Sequence, residues 1–203
     1  MTNLRLDFQR IAAAVPQGAS VLDLGCGEGD MLAHLQQARN VHGVGADIAR
    51  ANLIRCFERG IEAVYCDINK GLSLFSDNAY DVVILSQTLQ SVHIAPPLLL
   101  QEMLRIGRLA IVSFPNFGYW RMRLQLLAGA MPRDRLLPHT WDSTPNVRYC
   151  TIKDFEALCI RESLHIEQKL FLLGEQQIER APNGRAQMAI YCLRRASVAA
   201  RVL

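Results

Sequence analysis

One stretch constrains this chain more than any other: Val21-Leu22-Asp23-Leu24-Gly25-Cys26-Gly27-Glu28-Gly29. Val21 to Leu24 reads as a short buried strand, and Met31, Leu32 and Leu35 beyond the glycines mark a helix. A strand that passes into a helix through DxGxGxG offers bare backbone for a ligand to lie against. Side chains would collide there, and glycine also permits the positive φ angles of the turn.

The spacing separates two ligand classes. Dinucleotide folds use GxGxxG, whose third glycine lets the helix approach the strand. Here Asp30 stands at that position, and an acid, Asp23, precedes the glycines. A carboxylate there repels a pyrophosphate and suits a ligand carrying an ammonium or sulfonium charge. S-adenosylmethionine (or S-adenosylhomocysteine) is therefore expected over NAD, with Gly25, Cys26, Gly27 and Gly29 as the cofactor loop. An NAD-dependent oxidoreductase is the disfavoured alternative.

Further acids fall where such a ligand needs them. Asp47, followed by Ile48, ends a second strand over 41–46, where an acid commonly accepts the ribose hydroxyls. Asp67 follows a third strand over 61–65 in Tyr65-Cys66-Asp67-Ile68 and could accept the adenine amino group. Asp81 enters a fourth strand over 80–85, and Ser86-Gln87 leave it near the same edge. Any one of these aspartates could be a loop or cap residue. Acids ending successive strands beside DxGxGxG point jointly to a site.

The surrounding pattern agrees. Leu4, Phe8, Ile11 and Val15 fall at helical spacing before Pro16 and Gly18. Leu53, Ile54 and Phe57 line a helix stopped at Gly60. Pro96-Pro97 opens a helix that Gly107 closes, and a fifth strand covers 109–114. Strict strand–helix alternation is the signature of a doubly wound parallel sheet. Residues 115–150 break it, with Pro115, Pro132, Pro138 and Pro145 and one helical stretch over 119–127. Thr151-Ile152-Lys153-Asp154 then resembles a capping box. Two more strands follow near 164–173 and 186–194, and the polar Gly174 to Gly184 between them reads as a loop.

The length of 203 residues suits a single domain over 1–203, with an inserted lid or partner segment at about 115–150. The formal charge is +3, and five arginines against two aspartates place all of it in that segment. Arginine outnumbers lysine throughout, which fits codon usage as well as a contact surface. No like-charge block argues for a disordered tail. No basic stripe interleaved with aromatics argues for nucleic acid. No apolar run or leader suggests a membrane or secretion. The six cysteines sit mostly among apolar neighbours without a CxxC pair, and the five histidines are scattered. A reduced cytoplasmic setting is expected, with no metal site.

Across essentially its whole length the chain resembles a class I S-adenosylmethionine-dependent methyltransferase domain. That resemblance implies a Rossmann-like α/β fold: a mostly parallel seven-stranded sheet, antiparallel in its last strand, with helices on both faces. A narrower resemblance is carried by Leu85-Ser86-Gln87-Thr88-Leu89-Gln90-Ser91-Val92-His93, Phe114-Pro115-Asn116-Phe117-Gly118-Tyr119-Trp120-Arg121 and Leu137-Pro138-His139-Thr140-Trp141-Asp142-Ser143-Thr144-Pro145-Asn146. With the glycine motif, these resemble the methionine biosynthesis protein MetW family. The resemblance implies a role beside homoserine O-acyltransferase and no defined methyl acceptor. Arg105-Ile106-Gly107-Arg108 departs from the proline-glycine-glycine turn frequent in methyltransferases.

Two functions remain open. One is a partner that activates or regulates the acyltransferase, with S-adenosylmethionine as the signal. The other is an active small-molecule methyltransferase with 115–150 as its acceptor lid. Methyl transfer needs positioning more than a base, so no catalytic signature is obligatory. The asparagine-proline-proline-aromatic motif of amino-group methylators is not found. His93 is the candidate base, and His139 lies in a proline-flanked loop. Tyr119 and Trp120 could cover a ligand, fill a partner's pocket or pack in the core. Arg121 and Arg123 could grip carboxylate or phosphate, or stay solvated. Oligomeric state is open, a homodimer included.

Overall fold

The computed structural model describes residues 6–196. Five parallel strands, β1 (Ser20–Leu24), β2 (His42–Asp47), β3 (Glu62–Tyr65), β4 (Tyr80–Ser86) and β5 (Gly107–Pro115), form most of one sheet. Strands β6 (Leu164–Leu173), β7 (Gln176–Gln177) and β8 (Met188–Arg195) extend it. The order is β3-β2-β1-β4-β5-β8-β6-β7, and β8 runs antiparallel between β5 and β6. The order reverses between β1 and β4, which opens a crevice beyond their carboxyl ends.

Helices cover both faces. Helices α1 (Leu6–Ala14), α2 (Asp30–Arg39) and α3 (Arg50–Glu58) lie on one side, where Ile11, Leu32, Leu35 and Cys56 are buried against Val21, Val82 and Ile111. Helices α4 (Pro96–Ile106) and α6 (Ile152–Arg161) lie on the other, where Leu99, Met103 and Phe155 pack on Leu22, Val83 and Phe114. Strands β4 and β5 are apolar on consecutive residues because both of their faces are covered. Two smaller helices, α5 (Trp120–Leu127) and α7 (Pro182–Arg185), complete the list among the described residues.

Several expectations need correction. The sheet has eight strands among the described residues, not seven. Gly174 to Gly184 is not plain loop, because Gly174 turns the chain at φ 55° and Gln176–Gln177 pair back onto Leu172–Leu173. Both residues of β7 are exposed, so no alternation marks them in the sequence. In α3 the core residues are Leu53 and Cys56, while Ile54 and Phe57 are exposed. Leu4 lies outside the described residues. At Thr151 the box is one-sided: its Oγ1 accepts the Asp154 N–H at 3.1 Å. The Asp154 carboxylate turns to the Thr151 hydroxyl at 2.7 Å.

Residues 115–150 leave and rejoin the sheet at one place. Asn116 and Cys150 form a parallel bridge, and the Phe117 N–H donates to the Cys150 carbonyl at 2.9 Å. Asn116 is buried, and its side chain is fully employed. Its Nδ2 donates to the carbonyls of Asn183 and Ala186, and its Oδ1 accepts the N–H groups of Gly118 and Ile152. A polar side chain in the core is satisfied here by tying three chain segments together.

Candidate functional site: the cleft at the strand ends

The cleft lies where β1, β2, β3 and β4 end. It has a volume of about 240 Å³. Of the residues expected from sequence, Gly25, Asp47, Ile48, Cys66, Asp67, Ile68 and Gln87 line it. Thr88, Asn69, Ser91 and Val92 line it as well and were not anticipated.

The glycine loop is shaped by its neighbours. Gly25 has φ 74°, and a Cβ there would stand 2.6 Å from Thr88 Oγ1. Gly29, the N-cap of α2, has φ 81° and would press on Ile61. Gly27 supplies its N–H to Asp47 Oδ2 at 2.9 Å, while Asp47 Oδ1 accepts the Ala49 N–H at 2.8 Å. Asp47 thus holds the loop after β1 from the end of β2. A carboxylate has about four acceptor sites, so it keeps capacity for ligand hydroxyls. Asp67 caps a 3-10 turn (Ile68–Lys70) by accepting the Asn69 N–H at 3.0 Å. One reading of these acids, cap or ligand acceptor, need not exclude the other.

The remaining cofactor candidates, Asp23, Cys26, Gly27, Gly29 and Ser86, do not line the cleft. Asp23 is buried in β1, and Cys26 and Gly29 are buried in the turn that follows. Cys26 Sγ lies 4.0 Å from Cys56 Sγ. Burial first, then the nearby Asp23, pushes the Cys26 thiol far up, and burial likewise raises Cys56 and Cys66. These thiols stay protonated and are not nucleophiles at neutral pH. Ser86 Oγ and Gln87 Nε2 both reach Asp7 Oδ2 of α1, at 3.3 and 3.1 Å. Gln87 holds φ 49°, fixed by its N–H donating to Ser113 O at 2.9 Å. Asp7 was missed, although a buried acid in the stripe of Ile11 is a readable signal.

The acceptor and partner candidates do not gather in the cleft. His93 is exposed, with its backbone N–H on Asn69 Oδ1 at 2.6 Å. His139 is exposed. Tyr119 is buried with Met122 and Leu137 as a small satellite core. Trp120 is half-exposed and carries the Arg121 guanidinium 5.3 Å from its ring centroid. Arg123 donates from Nε to the Gly118 carbonyl at 2.6 Å. Arg148 was counted with the surface charge, yet it donates to the carbonyls of Val92, His93 and Ile94. It clamps the end of the inserted segment onto the loop after β4.

The fold is that of S-adenosylmethionine-dependent methyltransferases. A crystal structure of one from Mesorhizobium loti superposes with TM-score 0.67 at 18% identity, covering 94% of this chain and 98% of that one. Another, from Archaeoglobus fulgidus, gives TM-score 0.67 at 14% identity, covering 94% and 92%.

The chain belongs to the methionine biosynthesis protein MetW family, whose model matches residues 5–193. A bifunctional methionine biosynthesis protein MetXA/MetW from Rhodopirellula baltica is 36% identical over 206 residues, covering 95% of this chain. The chain spans 33% of the length of that relative.

Proposed function

We propose that this protein binds S-adenosylmethionine or S-adenosylhomocysteine in the cleft and serves as partner, activator or regulator of a homoserine O-acyltransferase. The observation that carries the partnership is the Rhodopirellula relative, which joins a MetXA part to a MetW part in one chain. We read the MetXA part as the acyltransferase. Fusion of two functions fits a need for them to meet.

The cleft suits an adenosyl group. Asp47 would accept ribose hydroxyls, Asp67 the adenine amino group, and Ile48, Cys66 and Ile68 would flank the ring. The Gly25 and Gly27 backbone leaves room for the amino-acid portion. The group would supply a transferable methyl or, for a partner protein, a signal. Its effect on the acyltransferase requires different affinities for two states of the complex.

The inserted segment suits a protein face. Leu127 is 83% exposed and Trp141 75%, in company with Trp120, Leu124 and Met131. Arg121, Arg123, Arg133 and Arg135 are exposed among them. Apolar and arginine side chains together are the composition of interface anchors, and the charge favours an acidic opposite surface.

The test is the acyltransferase rate with and without this protein, each with and without S-adenosylmethionine, beside a pull-down using Trp120→Ala, Arg121→Ala and Arg123→Ala. Co-purification, with a rate change that the variants lose, supports the reading. No association and an unchanged rate would sink it. Incubation with labelled S-adenosylmethionine and metabolites tests methyl transfer separately.

A further inference from the structure

Resting on the reading of the cleft as an adenosyl site, we infer that the loop after β4 couples that site to the inserted segment. A ligand in the cleft holds the segment on the sheet, and a docked segment holds the ligand. The loop runs from Gln87 to Ala95 and contains neither helix nor strand. Gln87, Thr88, Ser91 and Val92 form one wall of the cleft. Thr88 also occupies the space that a Cβ on Gly25 would need, so this wall leans on the glycine loop.

The same loop carries the returning end of the segment. Residues 146–148 make six hydrogen bonds to it. The Ser91 hydroxyl donates to Asn146 Oδ1 at 3.1 Å, so Ser91 both lines the cleft and bonds the segment. The Val147 and Arg148 N–H groups donate to the Gln90 carbonyl, at 2.9 and 3.2 Å. The Arg148 guanidinium donates to the carbonyls of Val92 and Ile94 from one nitrogen and to that of His93 from the other, the last at 2.7 Å. The N–H groups of His93 and Ile94 donate in turn to Asn69 Oδ1, at 2.6 and 3.2 Å. Asn69 lines the cleft and belongs to the turn that Asp67 caps.

A loop held by one partner keeps part of its conformational freedom. Fixing it through a ligand lowers the entropy cost of fixing it through the segment, and the reverse. Such coupling is reciprocal, so one factor describes both effects. Arg148 is a positioning residue in this scheme: it does not line the cleft and acts through the carbonyls of the loop. Trp120 and Leu127 ride on the segment, so a filled cleft presents them on a firmer support.

The experiment measures amide hydrogen exchange of the full chain by NMR, without ligand and with saturating S-adenosylmethionine or S-adenosylhomocysteine, beside calorimetry of both. Exchange at the Val147 and Arg148 amides should slow about tenfold on binding. The Ile178 amide, which donates to the Phe171 carbonyl beside β7, should not change. Affinity should fall by the same factor in Arg148→Met, and by a smaller one in Asn146→Ala, which keeps the guanidinium clamp. Gln125→Ala loosens the segment elsewhere, by freeing the Arg133 N–H and carbonyl, and should leave affinity unchanged. Binding without slowing at Val147 and Arg148 overturns the inference and leaves the cleft reading standing. So does equal slowing at Ile178, unchanged affinity in both Arg148→Met and Asn146→Ala, or an equal loss in Gln125→Ala. Absence of binding by either ligand overturns the cleft reading and the inference with it.

Discussion

Asp47 Oδ2 holds the Gly27 N–H at 2.9 Å, so the acid that ends β2 fixes the glycine loop that follows β1. The loop is therefore not shaped by its own sequence alone. Asp47→Ala leaves the Gly27 and Ala49 N–H groups without their acceptor, a loss of about 1–3 kcal/mol. Thermal unfolding should show the loss, and calorimetry with S-adenosylmethionine should show binding weakened by more than the stability change accounts for. Unaltered affinity in Asp47→Ala would remove this residue from the ligand's contacts.

Gly25 meets a neighbour rather than empty space. Gly25→Ala combines a φ of 74° with a Cβ 2.6 Å from Thr88 Oγ1, and is expected to destabilise by more than about 1 kcal/mol. Thr88→Ala removes the collision and leaves the φ strain. The double variant should therefore recover part of the loss, a coupling that a double-mutant cycle in denaturant reads directly.

Arg148 should behave as a clamp and not as a surface charge. Arg148→Met removes donors to three carbonyls at once, with an expected loss of about 2 kcal/mol since the side chain is only partly buried. Limited proteolysis should then cut within 117–147 well before the sheet unfolds. Arg133→Ala, on an exposed arginine of the same segment, should leave the cleavage pattern unchanged.

Asp81 gives the acid limb of stability one identifiable source. Its carboxylate is held below the usual range by the Ser20 backbone N–H and then by the Ser20 hydroxyl. A depressed native pKa means stability that is present above the unfolded value of about 3.9 and is lost as pH falls below it. The side chain is 44% exposed, so solvent screens the effect to about 1 kcal/mol. Asp81→Asn should flatten the decline in unfolding midpoint between pH 5 and 3, relative to the unaltered protein.

The parallel half of the sheet was legible because burial on both faces writes itself as apolar runs, and because Pro16, Gly60, Pro96 and Gly107 punctuate them. The seven cleft residues were legible because a strand end is a fixed place in such a sheet. What sequence reading could not reach is side-chain traffic between distant segments. Asp7 reaching Ser86 and Gln87, and Arg148 spanning three carbonyls, depend on how α1 and the inserted segment pack. The strand β7 escaped because two exposed glutamines leave no period to read. The +3 of residues 115–150 was a correct count and an incomplete description, since one of its five arginines works inward.

The bridge between Asn116 and Cys150 means that the chain departs from the sheet and returns at neighbouring points. Adjacent strands stand about 4.8 Å apart, so the excursion from Phe117 to Tyr149 is a closed cassette. Closing such a loop becomes only slowly harder with length, about 0.6 kcal/mol for each doubling. Its surface can be lengthened, shortened or rewritten over evolutionary time while β5, β8 and the glycine loop keep their register. The surface of this segment and the architecture of the cleft are thus free to diverge at different speeds.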